Sequence, residues 1–348
     1  MIYLDYIRVL AVFLVIYGHL ITVPTYATVI DGVISKAAIM PLIPRETHNL
    51  SFIDEKLANF GTATAVIGVI LFFLLSGFLA ANTRNKYKSK IDFILHRFKR
   101  IYPGWIIALL ISSIIAYTQG YKYDLQCYFL NVSLLQTLFG NPAIIGAVWT
   151  LVVELYFNLI ICFMPTITNK RILVTETIIF ILVLLFILFQ PTYHFVYSSN
   201  LIYSIRFIPL IFVGSSLYIA IYYSSKQNYY YFMLSMLIAY LTLYTSINFV
   251  YTFDVFYRGI YSYIIAIGVF IIVYKLKGIL KDYKWIKTIC KISYMIYLLQ
   301  LNIGITTIYY LREFNFNSYQ AVAGGIIATI FVSLILHYGI EAKLTKNR

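Results

Sequence analysis

Tyr6-Ile7-Arg8-Val9-Leu10-Ala11-Val12-Phe13-Leu14-Val15-Ile16-Tyr17-Gly18-His19 opens an apolar segment that runs to about Val29 and carries two ionisable side chains, Arg8 and His19. A stretch this long and this poor in charge reads as a membrane-spanning helix. Along an ideal helix, the eleven steps from Arg8 to His19 return to within about 20° of the starting azimuth and rise about 16 Å. One stripe of one span then holds both. With Arg8 at a membrane face, His19 lies roughly halfway through a hydrocarbon core about 30 Å thick, where an ionisable group is costly and marks a functional site. The alternative reading has His19 in an interhelical hydrogen bond and Arg8 snorkelling as an anchor.

Outward from this segment the pattern repeats. The 348 residues are 61% hydrophobic and 11% charged, with mean hydropathy +0.82, so the expected fold is an all-α polytopic transmembrane bundle. Strand alternation with polar inward faces, the mark of a membrane barrel, is absent from the sequence. The apolar runs predict about ten spans, at 6–28, 61–82, 101–118, 143–164, 172–190, 201–223, 229–247, 258–276, 292–310 and 320–340. Between them, nineteen Lys and Arg residues fall in one set of loops, among them Arg84, Lys86, Lys90, Arg97, Arg100, Lys291 and Arg348. Five fall in the other: Lys36, Arg45, Lys56, Lys122 and Arg312. Cytoplasmic loops keep positive charge, which predicts both termini in the cytoplasm.

The formal charge of +14 is then a topology signal, and no nucleic-acid partner is expected. The N-terminus has no basic n-region and no convincing cleavage site, so it reads as a retained span. Cys127, Cys162 and Cys290 fall outside, within and inside the membrane on this topology, so neither a disulfide nor a metal site is indicated. One membrane-embedded domain over residues 1–348, with no appended soluble domain, is expected. The longest outer segments are about 29–60 and 119–142, the second with a short interfacial helix around Tyr128 to Leu138.

Three places in the sequence can carry chemistry besides the first span. Arg97 and Arg100, at the start of the third span, are three apart and share a helix face, which suits paired hydrogen bonds to anionic oxygens. The lysines around them read as ordinary positive-inside anchors. Glu154, in Val148-Trp149-Thr150-Leu151-Val152-Val153-Glu154, lies about 16 Å into its span by helix rise, close to the level of His19. A carboxylate and an imidazole at one depth can form an acid–base pair. Glu154 can equally serve as a structural partner of Arg206 in the sixth span. Leu71-Phe72-Phe73-Leu74-Leu75-Ser76-Gly77-Phe78-Leu79 places a Ser-Gly pair where a helix or a thin ligand chain can approach the backbone, helix packing being the commoner cause. Ser76 lacks the glycine-rich context of a nucleophile elbow.

In order and type these motifs resemble acyltransferase family 3, the integral membrane O-acyltransferases that modify cell-surface glycans. The resemblance rests on Leu4-Asp5-Tyr6-Ile7-Arg8 through His19, Phe72 to Leu79, Arg97-X-X-Arg100 with Pro103, Trp149-Thr150-Leu151-X-X-Glu154, Arg206 through Gly214, and Ile292-Ser293-Tyr294-Met295-Ile296-Tyr297-Leu298. The chain departs from the family at Gln300, where a histidine is common. Glutamine can orient a substrate but cannot titrate.

The resemblance implies an acyl-coenzyme A donor substrate, acetyl-coenzyme A by preference, on the cytoplasmic side and no permanently bound cofactor. It implies a saccharide or glycolipid acceptor, contact with membrane lipid, and residence in a bacterial plasma membrane. It further implies catalytic roles for His19 and Glu154, donor contacts from Arg8, Ser76, Arg97 and Arg100, and substrate contacts from Trp149, Arg206 and Gln300. His19 would act as general base or first accept the acyl group covalently. A rival function is export or flipping of a surface glycan, against which the sequence shows no paired Gly/Pro-interrupted spans.

Overall fold

The structure is a computed structural model that describes residues 1–22, 52–58, 62–84, 86–87, 89–164, 166–189, 204–247 and 257–342. Among the described residues there is no strand; every element is a helix. In chain order these are α1 (Ile2–Ile16) continued by a π-helical turn (Tyr17–Thr22), α2 (Phe52–Ala58), α3 (Thr64–Arg84), α4 (Lys90–Thr118), α5 (Leu125–Val132), α6 (Trp149–Phe163) and α7 (Asn169–Phe189). They are followed by α8 (Ile208–Tyr222), α9 (Lys226–Ile247), α10 (Tyr257–Lys275), α11 (Lys284–Leu299) with a π-helical turn (Gln300–Ile305), α12 (Thr306–Glu313) and α13 (Ser318–Leu336) with a π-helical turn (His337–Glu341). In lipid a backbone must satisfy its own polar groups, which is why these apolar runs are helical throughout.

Where the predicted spans lie on described residues they fall on helices, and among the described residues eight helices are long and apolar enough to cross a membrane. The chain is an integral membrane protein. Of the helices on the predicted spans, the two outside that eight are α8, which has 15 residues, and the tyrosine-rich α9. Three local expectations change. The third span is longer than the sequence suggested: α4 starts at Lys90, where Ser89 caps it by accepting from the Ile91 and Asp92 amides, so Arg97 and Arg100 sit inside a helix. The short helix of the 119–142 segment begins earlier, at Leu125, because Asp124 accepts from the Cys127 amide at 2.7 Å. It ends at Val132, where the Ser133 hydroxyl folds back to the Phe129 carbonyl and Leu134 turns to φ 59°. Of the predicted 29–60 segment only α2 is described, and Lys343, Lys346 and Arg348 also lie outside the described residues.

The tightest crossing joins α3 to α8. A Cβ on Gly77 would lie 1.7 Å from the Ile211 carbonyl oxygen, and one on Gly214 would lie 2.0 Å from that of Leu74. The two glycines therefore let the backbones touch, and the Ser215 hydroxyl donates to the Gly77 carbonyl at 2.8 Å. Between lipid-embedded helices, close packing of this kind replaces the hydrophobic drive available in water. Helix α1 is held against α3 in the same way: Gly68 leaves room for the Ala11 carbonyl, and Gly18 for Ala65. Of the Ser-Gly pair in the second span, then, Gly77 is filled by a helix, which leaves Ser76 to turn the other way.

Candidate active site

Helices α1, α3, α4, α6, α11 and the π-turn after α13 enclose a cavity of about 350 Å³. Arg8, Arg100 and Lys291 supply its cations, Glu154 and Glu341 its carboxylates, and Ser76 and Tyr294 neutral polar groups. Val69, Phe72, Leu75, Leu79, Ile101 and Leu151 make its walls apolar. One end is therefore suited to an anion and the length of the wall to a thin apolar chain.

The charged groups are fixed by specific bonds. The Ser76 hydroxyl donates to Glu154 Oε1 at 2.7 Å. Arg8 Nη1 donates to Cys290 Sγ at 3.2 Å, and the Cys290 thiol donates to Asp5 Oδ1 at 3.2 Å, which ties α1 to α11. Tyr294 donates to the Ile101 carbonyl at 2.9 Å, passing over Gly104, where a Cβ would meet its ring at 2.7 Å. Arg100 has Arg8, Arg97 and Glu154 as its charged neighbours. At the cavity's far rim His337 Nδ1 pairs with Glu341 Oε2 at 2.8 Å, one turn of helix apart.

Arg97 and Arg100 do not converge as a matched fork. Arg100 lines the cavity, whereas Arg97 is 4% exposed, with its guanidinium 5.3 Å from the Phe93 ring centroid and its Nε and Nη2 without hydrogen-bond partners. Arg97 thus acts on the cavity as a buried charge beside Arg100 and Glu154. Arg84, which the sequence offered only as a topology charge, also packs against the Phe93 ring and donates to the carbonyls of Ile161, Cys162 and Met164. It closes the C-terminus of α6, the helix that carries Glu154.

His19 lies in the π-turn that continues α1, and not on the regular helix assumed for it. Arg8 lines the cavity; His19 lies against the side chain of Gln300 in the facing π-turn. His19 Nδ1 and Gln300 Oε1 are both buried without a hydrogen-bond partner. No hydrogen bond or ion pair joins His19 to Glu154 among the described residues. Nearby, Gln300 Nε2 donates to the Tyr297 backbone carbonyl at 3.3 Å, and the Tyr297 hydroxyl, on the cavity wall, meets the Thr150 hydroxyl at 2.8 Å. Trp149 and Arg206 are brought together over Phe207, whose ring lies 5.0 Å from Trp149 and 4.7 Å from the buried Arg206 guanidinium, beside cavity residue Phe73.

The structure therefore gathers Arg8, Ser76, Arg100 and Glu154 in one cavity and places Arg97, His19 and Gln300 around it. Lys291, His337 and Glu341 belong to the same cavity and were missed. Lys291 was counted as an anchor, and a His-X-X-X-Glu spacing at the end of the last span was the available signal. Among the described residues no group of His, Cys, Asp and Glu could hold a metal ion, and Cys127, Cys162 and Cys290 are free thiols.

A family model described as an acyltransferase domain, that of acyltransferase family 3, matches residues 1–338, and the chain belongs to this family. No curated protein and no solved structure matches it.

Proposed function

We propose that this family member is a transmembrane O-acyltransferase that moves an acyl group, acetyl in the simplest case, from cytoplasmic acyl-coenzyme A to a hydroxyl of an extracytoplasmic or lipid-linked saccharide in a bacterial plasma membrane. The observation that carries the reading is the cavity itself, cationic at Arg8, Arg100 and Lys291 and apolar along its walls, with His19 against Gln300 on the helix that also carries cavity residues Tyr294 and Tyr297.

The donor's phosphates would take hydrogen bonds from the guanidinium groups of Arg8 and Arg100, strengthened by the buried charge of Arg97. Its thin arm would follow Val69, Phe72 and Leu75 toward Thr150 and Tyr297. Ser76 and Glu154 act from inside this donor cavity, where the carboxylate offsets the cluster of cations while the site is empty. His19 accepts the proton of the sugar hydroxyl as its oxygen attacks the thioester carbon. The carbon–sulfur bond then breaks, and the departing thiolate takes that proton from the His19 imidazolium, which returns the base to its starting state. In the covalent version of the same chemistry the imidazole attacks first and the sugar oxygen then displaces it.

The test is direct. Purified protein in lipid nanodiscs, given acetyl-labelled acetyl-coenzyme A and an alkyl glycoside, should move label to the sugar. Donor binding, seen as thermal stabilisation, without label on any saccharide would contradict the proposal.

A further inference from the structure

The π-turn His337–Glu341 that ends α13 packs against both α4 and α11. Its imidazole and carboxylate thereby line the same cavity as Arg100 of α4 and Lys291 and Tyr294 of α11. A bond within the turn holds the two together: His337 Nδ1 lies 2.8 Å from Glu341 Oε2, and both side chains are largely buried. Lys291, by contrast, is exposed, so this end of the cavity is its mouth.

Two carboxylates thus face one cavity, and their surroundings differ. Glu154 accepts from Ser76 and has Arg97 and Arg100 as neighbours, so its charge is offset where it stands. Glu341 stands beside Tyr294 and His337, at the mouth. A carboxylate there repels any ligand that carries several phosphates, unless the ligand brings a hydrogen-bond donor to it. A carboxylate has lone pairs for about four hydrogen bonds, so one with His337 leaves it able to accept another.

We infer that Glu341, positioned by His337, recognises the purine base of the acyl donor by accepting a hydrogen bond from its exocyclic amine. With the donor's phosphates at Arg8 and Arg100 and its thin arm along the apolar wall, the part on the other side of the phosphates is the nucleoside, and the mouth is where it lies. The rings of Tyr294 and His337 line the same cavity, and a flat base stacks well on such surfaces. The site then selects an adenine-nucleotide thioester over the same acyl group on a carrier without a base. This inference rests on the proposed acyl-coenzyme A donor.

The experiment uses the full chain in lipid nanodiscs and titrates thermal stability with three ligands: coenzyme A, etheno-coenzyme A, whose exocyclic amine is closed into a ring, and phosphopantetheine, which has no nucleoside. Wild type should bind coenzyme A about tenfold tighter than the etheno form, the size of a lost hydrogen bond to a charged group. Glu341→Leu should bring that ratio to about one and leave phosphopantetheine bound at least as well as before, because a negative charge has gone. Glu341→Gln keeps an oxygen that accepts, so its ratio should fall between the two, and it serves where the Leu variant fails to fold. Each ratio is read within one protein, so a change in stability between variants does not enter it. A wild-type ratio near one would overturn base recognition while leaving acyl transfer from coenzyme A standing. So would an equal gain in affinity for all three ligands in Glu341→Leu, the behaviour of a plain repulsive charge, or a wild-type ratio kept in both variants. Wild type stabilised by none of the three would instead bring down the acyl-coenzyme A reading, and this inference with it.

Discussion

At one end of helix α11, Lys291 and Tyr294 face a cavity shared with Arg8, Arg100, Glu154 and Glu341; further along the same helix, Gln300 faces His19 and Asn302 faces the segment between α5 and α6. The first region is built from charges that compensate one another, and the second from neutral amides with unpaired atoms. Charge recognises an anion at long reach and with little demand on geometry, whereas amides recognise hydroxyls only when they are placed atom against atom. On the proposed function, the cavity would hold the donor and His19, lying against Gln300, would stand where the acyl group is transferred.

The largest expected effect is therefore at the boundary. His19→Ala should lower transfer by about 10² to 10⁴-fold, the range for loss of a general base, with donor-induced stabilisation retained. Labelled-acetyl transfer at saturating donor measures it. Near-normal turnover would dissolve the comparison, because neither region would then serve a reaction at His19.

The second effect separates the regions. Arg100→Ala should weaken donor binding roughly 10- to 100-fold, the loss expected for hydrogen bonds to a charged group, and Arg100→Lys should restore it only in part because a fork becomes a point charge. Arg97→Ala should act in the same direction but less, since Arg97 lies over Phe93 outside the cavity wall. Titration of thermal stability with coenzyme A reads all three variants. Equal stabilisation of these variants and wild type at subsaturating ligand would return both arginines to an anchoring role.

Much of the cavity was legible in the sequence, because ionisable residues in apolar runs are scarce and each one stands out. Arg8, Arg100 and Glu154 were visible for that reason, and so was Ser76 beside its glycine. The joint position of His19 and Gln300 was not legible. Residue spacing within each span says nothing of which two spans meet, and the facing π-helical turns Tyr17–Thr22 and Gln300–Ile305 carry no sequence signal of their own. For the same reason, equal depth along straight helices suggested a Glu154–His19 pair, whereas Glu154 accepts from Ser76 and has Arg97 and Arg100 as neighbours. Arg84 was hidden among positive-inside charges, although it closes α6.

A smaller effect tests that revised place for Glu154. Glu154→Gln preserves an acceptor for Ser76 and removes a negative charge from beside Arg100. Donor affinity should rise by roughly twofold to tenfold, on the scale of one partly screened charge pair, and the pH–rate profile should keep its shape. A displaced profile would reinstate direct coupling to His19. Smallest is the contrast between two lysines of α11. Lys291→Ala should weaken donor binding by about twofold to fivefold, as for a solvent-exposed charge at a cavity rim. Lys284→Ala, outside the cavity, should leave binding unchanged.

The most direct test of the two-region account is sidedness in sealed vesicles of known orientation carrying a glycoside acceptor. The basic residues at the cavity's end of the bundle identify that end with the cytoplasm in this account. Acetyl-coenzyme A supplied to the cytoplasmic face alone should support acylation of the acceptor, and the same donor supplied to the outer face alone should not. Equal acylation from either face, or movement of unmodified saccharide without any donor, would contradict it.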